Sequence, residues 1–210
     1  TMDIIPIDLN CLLYQLEETI ADAYHLIHQK RFSKKFHSIA NKRSQLIQEY
    51  CWDKQEGFFQ DYNYKQKKVT GRLTLASVFP LYAKIATNDQ AKLIAERLEK
   101  DFLREGGLVT TLFEANQQWD GPNGWAPMQW IAIEGLRNYG YDKLADDIKQ
   151  RWIKMNIKIF REKHRLFEKY DVNHPERLGG GGEYLLQDGF GWTNGVLAAL
   201  MCEDDLSGLM

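Results

Sequence analysis

Apolar residues recur along this chain at the three- and four-residue steps of amphipathic helices. Leu9, Leu12, Leu13, Leu16, Ile20, Tyr24 and Ile27 form the first run, with Pro6 ahead of it and Asp8 placed to cap it. A second helix is predicted from about Ser33 to Tyr50, with Phe36, Ile39, Ala40, Ile47 and Tyr50 on one face. DKQEGFFQDYNYKQKKVTG then breaks the pattern and reads as a loop with a short hairpin. Leu75, Phe79, Tyr82 and Ala86 mark a third helix, and Ala91, Ile94, Ala95, Leu98 and Phe102 a fourth. Thr87 and Gln90, just ahead of the fourth, have capping-box spacing.

After the irregular REGGLVTTLFEANQQWDGPNGW, a fifth helix is predicted to start at Pro127, whose ring suits a first turn, and to carry Met128, Ile131 and Tyr139. Leu144, Ile148, Trp152, Met155 and Ile159 give the clearest helix, the sixth. FEKYDVNHPERLGGGGEYLLQDG is irregular again, and a seventh helix follows from about Gly191 to Met201.

The connections alternate in length. Short turns join helices one and two, three and four, and five and six, while the intervening connections are long. In an antiparallel array the long loops then share one end, so the hairpin loop, QQWDGPNGW and the polyglycine loop are expected on one surface. Loops on a rigid scaffold commonly carry function. The expected fold is all-α: either an open solenoid or an (α/α) toroid of helical hairpins. Three and a half hairpins make only about half of a six-hairpin (α/α)6 barrel. No linker divides the chain, so one helical domain over 1–210 is expected.

Composition narrows the function classes. A net charge of −2 gives no electrostatic footprint for nucleic acid. No apolar run approaches the roughly 20 residues of a membrane span, so a soluble protein is expected. Cys11, Cys51 and Cys202 form no metal spacing and no disulfide framework, and the histidines show no metal pattern. No metal or cofactor is expected, and no serine or cysteine sits in a recognisable nucleophile motif.

The long loops carry carboxylates, amides and indoles: Asp120, Glu168, Asp171, Glu183 and Asp188 with Gln118, Asn123 and Gln187, among Trp119, Trp125 and Trp192. Aromatic faces beside amides and carboxylates suit a sugar ring, and paired carboxylates are the usual machinery for breaking a glycosidic bond. Loop acids also cap helices or face solvent, and loop tryptophans plug helix ends, so the pattern alone leaves both readings open. Four consecutive glycines, 179 to 182, lose much conformational entropy on folding, which demands a reason for bare backbone there.

Two long motifs add to this reading. QWDGPNGWAP, Gln118 to Pro127, resembles a signature of the trehalase family, and GGGGEYLLQDGFGWTNG resembles that family's glycine-rich C-terminal element. IPIDLN and FEKYDV are similar to trehalase segments in order and spacing. The resemblance implies an (α/α) toroid that hydrolyses α,α-trehalose to two glucoses with inversion and without metal. It implies that Glu168 is the general base and that Glu183 binds substrate, with Trp119, Asp120 and Trp125 walling the pocket and the glycines passing close to the sugar. Leu185 stands where the family usually has proline. The Gly-Trp-Asp segment that supplies the family's catalytic acid has no match in these residues. The resemblance is thus to the C-terminal half of a trehalase, whose partners are trehalose or glucose and the N-terminal half. A helical domain that binds sugar or protein without catalysis is the alternative.

Overall fold

The computed structural model describes residues 2–182 and 184–207. It is mainly helical and consists of two compact units, Thr1–Ile94 and Ala95–Met210, each described by itself.

The first unit is built on a helical hairpin. Strand β1 (Ile4–Ile5) leads into helix α1 (Ile7–Leu26), which packs along α2 (Lys30–Tyr50). Asp8 does not cap α1; its carboxylate accepts from the adjacent Leu9 amide at 2.6 Å. The first-turn amide of buried Ile7 donates instead to Asp61, 54 residues on, at 2.9 Å. A tertiary contact thus satisfies a helix end that local sequence leaves open. The predicted hairpin loop holds two hairpins. Strands β2 (Trp52–Asp53) and β3 (Phe58–Phe59) form one, and β4 (Tyr62–Asn63) with β5 (Lys68–Val69) the other, with β1 added to the edge of β4. The third helix is shorter than the spacing predicts. A 3-10 turn, Leu75–Val78, capped by Thr74, passes into the single turn α3 (Phe79–Tyr82). The capping box ahead of α4 (Asn88–Arg97) forms as read, Gln90 N to Thr87 Oγ1 at 3.2 Å and Thr87 N to Gln90 Oε1 at 2.9 Å.

The buried face of α1 is not its leucine stripe. Ile7, Cys11 and Ala21 are buried, whereas Leu9, Leu12 and Leu16 are about half exposed, as are Ile39, Leu46 and Tyr50 on α2. Ile5, Ile39, Leu46, Ile47 and Tyr50 line an open apolar groove. The periodicity located the helices; the apolar surface it marks stays largely uncovered.

In the second unit a π-helical turn, Leu98–Phe102, continues α4 and delivers the chain to the hairpin β6 (Leu103–Arg104) and β7 (Gly107–Leu108). Strand β8 (Asn123–Trp125) runs directly into α5 (Ala126–Arg137), with Pro127 in its first turn. Helix α6 (Asp142–Lys163) returns against α5. It is followed by β9 (Lys169–Asp171), antiparallel to β8, and by α7 (Gly191–Ser207), which packs on both helices. Trp125, Ile133, Leu136, Ile148, Trp152, Tyr170 and Val172 fill the core. The buried Gln129 amide bonds both backbone groups of Leu108, at 2.8 and 2.7 Å, tying β7 to α5.

Candidate active site

The site is assembled by the pairing of β8 with β9. Register sets Trp125 opposite Lys169, Gly124 opposite Tyr170 and Asn123 opposite Asp171. Successive strand residues point to opposite faces. Tyr170 therefore turns into the core, its ring edge-on to Trp152 and its hydroxyl accepting from the Phe167 amide at 2.9 Å. Burial raises that hydroxyl's pKa to about 12, so it stays protonated. Lys169 turns the other way, over the Trp125 ring.

Glu168 precedes β9 and is 2% exposed. Its backbone amide donates to Gln187 O at 2.9 Å. Its carboxylate is held at both oxygens: Oε2 accepts from Lys169 Nζ at 2.9 Å, and Oε1 accepts from the Tyr184 hydroxyl at 2.7 Å. Tyr184 is itself 45% exposed, so the carboxylate lies one side chain below the surface. The hydrogen bond to Glu168 is the chief cause that holds the Tyr184 hydroxyl above the ordinary tyrosine range.

An aromatic plate adjoins this carboxylate. Trp119 and Trp125 stack at 3.9 Å with planes 3° apart, and Trp192 meets both edge-on. Phe190 extends the cluster at 4.9 Å from Trp192. Trp119 and Trp192 are partly exposed, while Trp125 is buried and backs the plate, its Nε1 donating to Gln118 O at 3.0 Å. Asp120 is buried and turned onto its own loop, where Oδ2 accepts from the amides of Ala115 at 2.8 Å and Gln117 at 3.3 Å. Glu183 lies outside the described residues.

The glycines have a visible structural reason. Asn123 clamps the run through both backbone groups of Gly180, donating to its carbonyl at 2.7 Å and accepting from its amide at 3.1 Å. A Cβ on Gly179 would stand 2.8 Å from the Lys169 carbonyl oxygen. Gly182, at φ +86°, would place one 1.9 Å from Gln118. Bare backbone therefore lets the 179–182 segment lie against the strand that begins at Lys169 and the loop that carries Trp119. Gly179→Ala is expected to destabilise the protein by about 1–3 kcal/mol, because backbone must shift to admit the methyl. A urea unfolding midpoint equal to wild type would contradict this.

The two sequence motifs thus meet. Glu168, Trp119 and Trp125 come together in the second unit, whereas the hairpin loop belongs to the first. Trp192, one of the loop indoles read from the sequence, joins them, and Lys169, Tyr184 and Phe190 complete the cluster without a signal of their own in the sequence. Only the β8–β9 register puts Lys169 against Trp125, and no linear spacing encodes that. Among the described residues no group of histidine, cysteine or acidic side chains can hold a metal ion. Nor is any described helix long and apolar enough to cross a membrane.

The trehalase family model matches residues 1–203, essentially the whole chain. The chain belongs to the trehalase family. It is 44% identical over 201 residues to the periplasmic trehalase of Salmonella paratyphi B, covering 96% of this chain and 35% of that protein. It therefore spans about a third of the length of the curated relatives it matches. Among solved structures, the neutral trehalase of Saccharomyces cerevisiae superposes with a TM-score of 0.80 at 32% identity, over 95% of this chain and 38% of that one. A mannosylglycerate hydrolase of Thermus thermophilus matches with a TM-score of 0.72 at 21% identity, over 94% of this chain and 47% of that one, a likeness of fold alone.

Proposed function

We propose that this chain is the C-terminal part of an inverting α,α-trehalase, with Glu168 as general base. The observation that carries the reading is the buried Glu168 carboxylate, fixed at both oxygens beside a tryptophan plate in a member of the trehalase family. A plate of this kind suits the C–H face of a glucose ring, with Trp119 and Trp192 as the exposed elements. Glu168 would take a proton from a water attacking the anomeric carbon. A second carboxyl group would protonate the glycosidic oxygen from the other side. Inversion at the attacked carbon releases one β-glucose, and the leaving sugar departs as α-glucose.

The acid is assigned to a segment outside these 210 residues, because the family's Gly-Trp-Asp element has no match here. The fold is read as about half of an (α/α)6 toroid. The exposed leucine stripe of α1 and the apolar groove beside α2 supply the surface that the other hairpins would cover. Apolar patches beyond a few hundred Å² usually mark interfaces. The relatives named as periplasmic trehalases favour a periplasmic setting. Asp120 serves as a brace for the loop that presents Trp119.

The test is a pair of substitutions in the full-length enzyme. Glu168→Gln should abolish most turnover, as argued below. Glu183→Gln, assigned to holding sugar hydroxyls, should raise the KM for trehalose by about tenfold or more, the scale of a lost charge-assisted hydrogen bond. An unchanged KM would remove Glu183 from the binding set.

A further inference from the structure

We propose that Lys169 is the positioning residue of Glu168, selecting Oε1 as the oxygen that receives the proton. This rests on Glu168 being the base. Lysine is almost never fully buried unless paired, because desolvating the ammonium is costly. Lys169 is nonetheless 0% exposed. Its Nζ lies 2.9 Å from Glu168 Oε2, 5.3 Å from the centre of the Trp125 ring and 5.2 Å from that of Tyr184. One carboxylate oxygen and two ring faces thus surround the cation, and each is an attractive partner for it.

The arrangement solves a geometric problem. The terminal torsion of a glutamate is broad, so a free carboxylate swings. A general base must instead offer one lone pair in a fixed direction to a single water. Lys169 pins Oε2 on the buried side, and its own backbone is set by the β8–β9 pairing opposite Trp125. That leaves Oε1, which faces the partly exposed Tyr184 hydroxyl. An incoming sugar and its water reach the Tyr184 side first, while the Lys169 side stays sealed. Tyr184 keeps Oε1 hydrogen-bonded until the water takes over.

The experiment is a double-substitution cycle in the full-length enzyme with trehalose as substrate. Lys169→Met should lower kcat by about 10–100-fold, the scale of a misplacement of about 1 Å, with KM within about twofold of wild type. In the Glu168→Gln background the same change should alter the residual rate by less than about twofold, because Lys169 acts through Glu168. A raised KM at unchanged kcat would overturn the proposal and assign Lys169 to the aromatic wall. An equal loss in both backgrounds would overturn it too. Should Lys169→Met not fold, Lys169→Gln, whose neutral amide falls short of Oε2, reads the same quantities in a shape that still fits polar surroundings. A folded Lys169→Gln enzyme with wild-type kcat would sink the idea. Near-normal turnover in Glu168→Gln alone would instead strike the base assignment, before Lys169 is altered.

Discussion

Glu168→Gln in the full-length enzyme is expected to cut kcat on trehalose by roughly 10²–10⁴-fold at least, the range that general base catalysis supplies. Glutamine is the informative replacement because the geometry accommodates it. Its Oε can accept from Lys169 where Glu168 Oε2 does now, and its amide can donate to the Tyr184 hydroxyl, which then accepts rather than donates. Both contacts survive and only the capacity to take a proton is lost. Glu168→Ala is a poorer choice: it strands the buried Lys169 ammonium, and breaking a buried pair in this way costs about 3–5 kcal/mol. A loss of rate would then be confounded with a loss of fold. Glucose release at saturating trehalose is the measurement, with glucose binding and the melting temperature as controls. Near-normal turnover in a folded Glu168→Gln enzyme would remove Glu168 from the base role.

The 210-residue chain by itself is expected to release no glucose from trehalose. One carboxylate cannot protonate the leaving oxygen and also activate water on the opposite face. Inverting enzymes use two, about 6.5–9.5 Å apart. Asp120, the acid of the Trp119 motif, is buried and turned onto its own loop, its Oδ2 accepting from the Ala115 and Gln117 amides, and is assigned the brace of that loop rather than the role of the acid. The exposed leucines of α1 add a second expectation: the isolated chain should self-associate or bind the N-terminal half of the enzyme. Glucose release by the purified chain, free of host trehalase, decides the first point, and light scattering with and without the N-terminal half decides the second. Turnover that Glu168→Gln abolishes would mean that the acid lies within this chain.

Helices are the part of this protein that its sequence writes out most plainly. Apolar steps of three and four placed α1, α2, α5 and α6, and the Thr87–Gln90 box placed the start of α4, because such signals are local and nearly complete within one or two turns. The same local logic overreached where the backbone departs from the α-helix. Leu75 to Ala86 became a 3-10 turn followed by one α turn, and the fourth helix ends in a π turn at Leu98–Phe102. Spacing at three or four residues does not separate these three helix types.

Trp119 and Trp125 were also legible through the long QWDGPNGWAP motif, and Glu168 through the shorter FEKYDV segment, and the structure brings all three together in one unit. What sequence alone determined is therefore the family, the helical scaffold and the presence of a carboxylate among indoles. Tertiary structure decided what those groups touch. It turned Asp120 onto its own loop, capped α1 with Asp61 rather than Asp8, and left the leucines of α1 exposed. It also packed the glycine run against Lys169 and closed Lys169 onto Glu168 under Tyr184. Each of these outcomes depends on strand register or on contacts between residues far apart in the chain. Such contacts form only when β8 meets β9 or α1 meets the hairpin loop, and no periodicity of the chain records them.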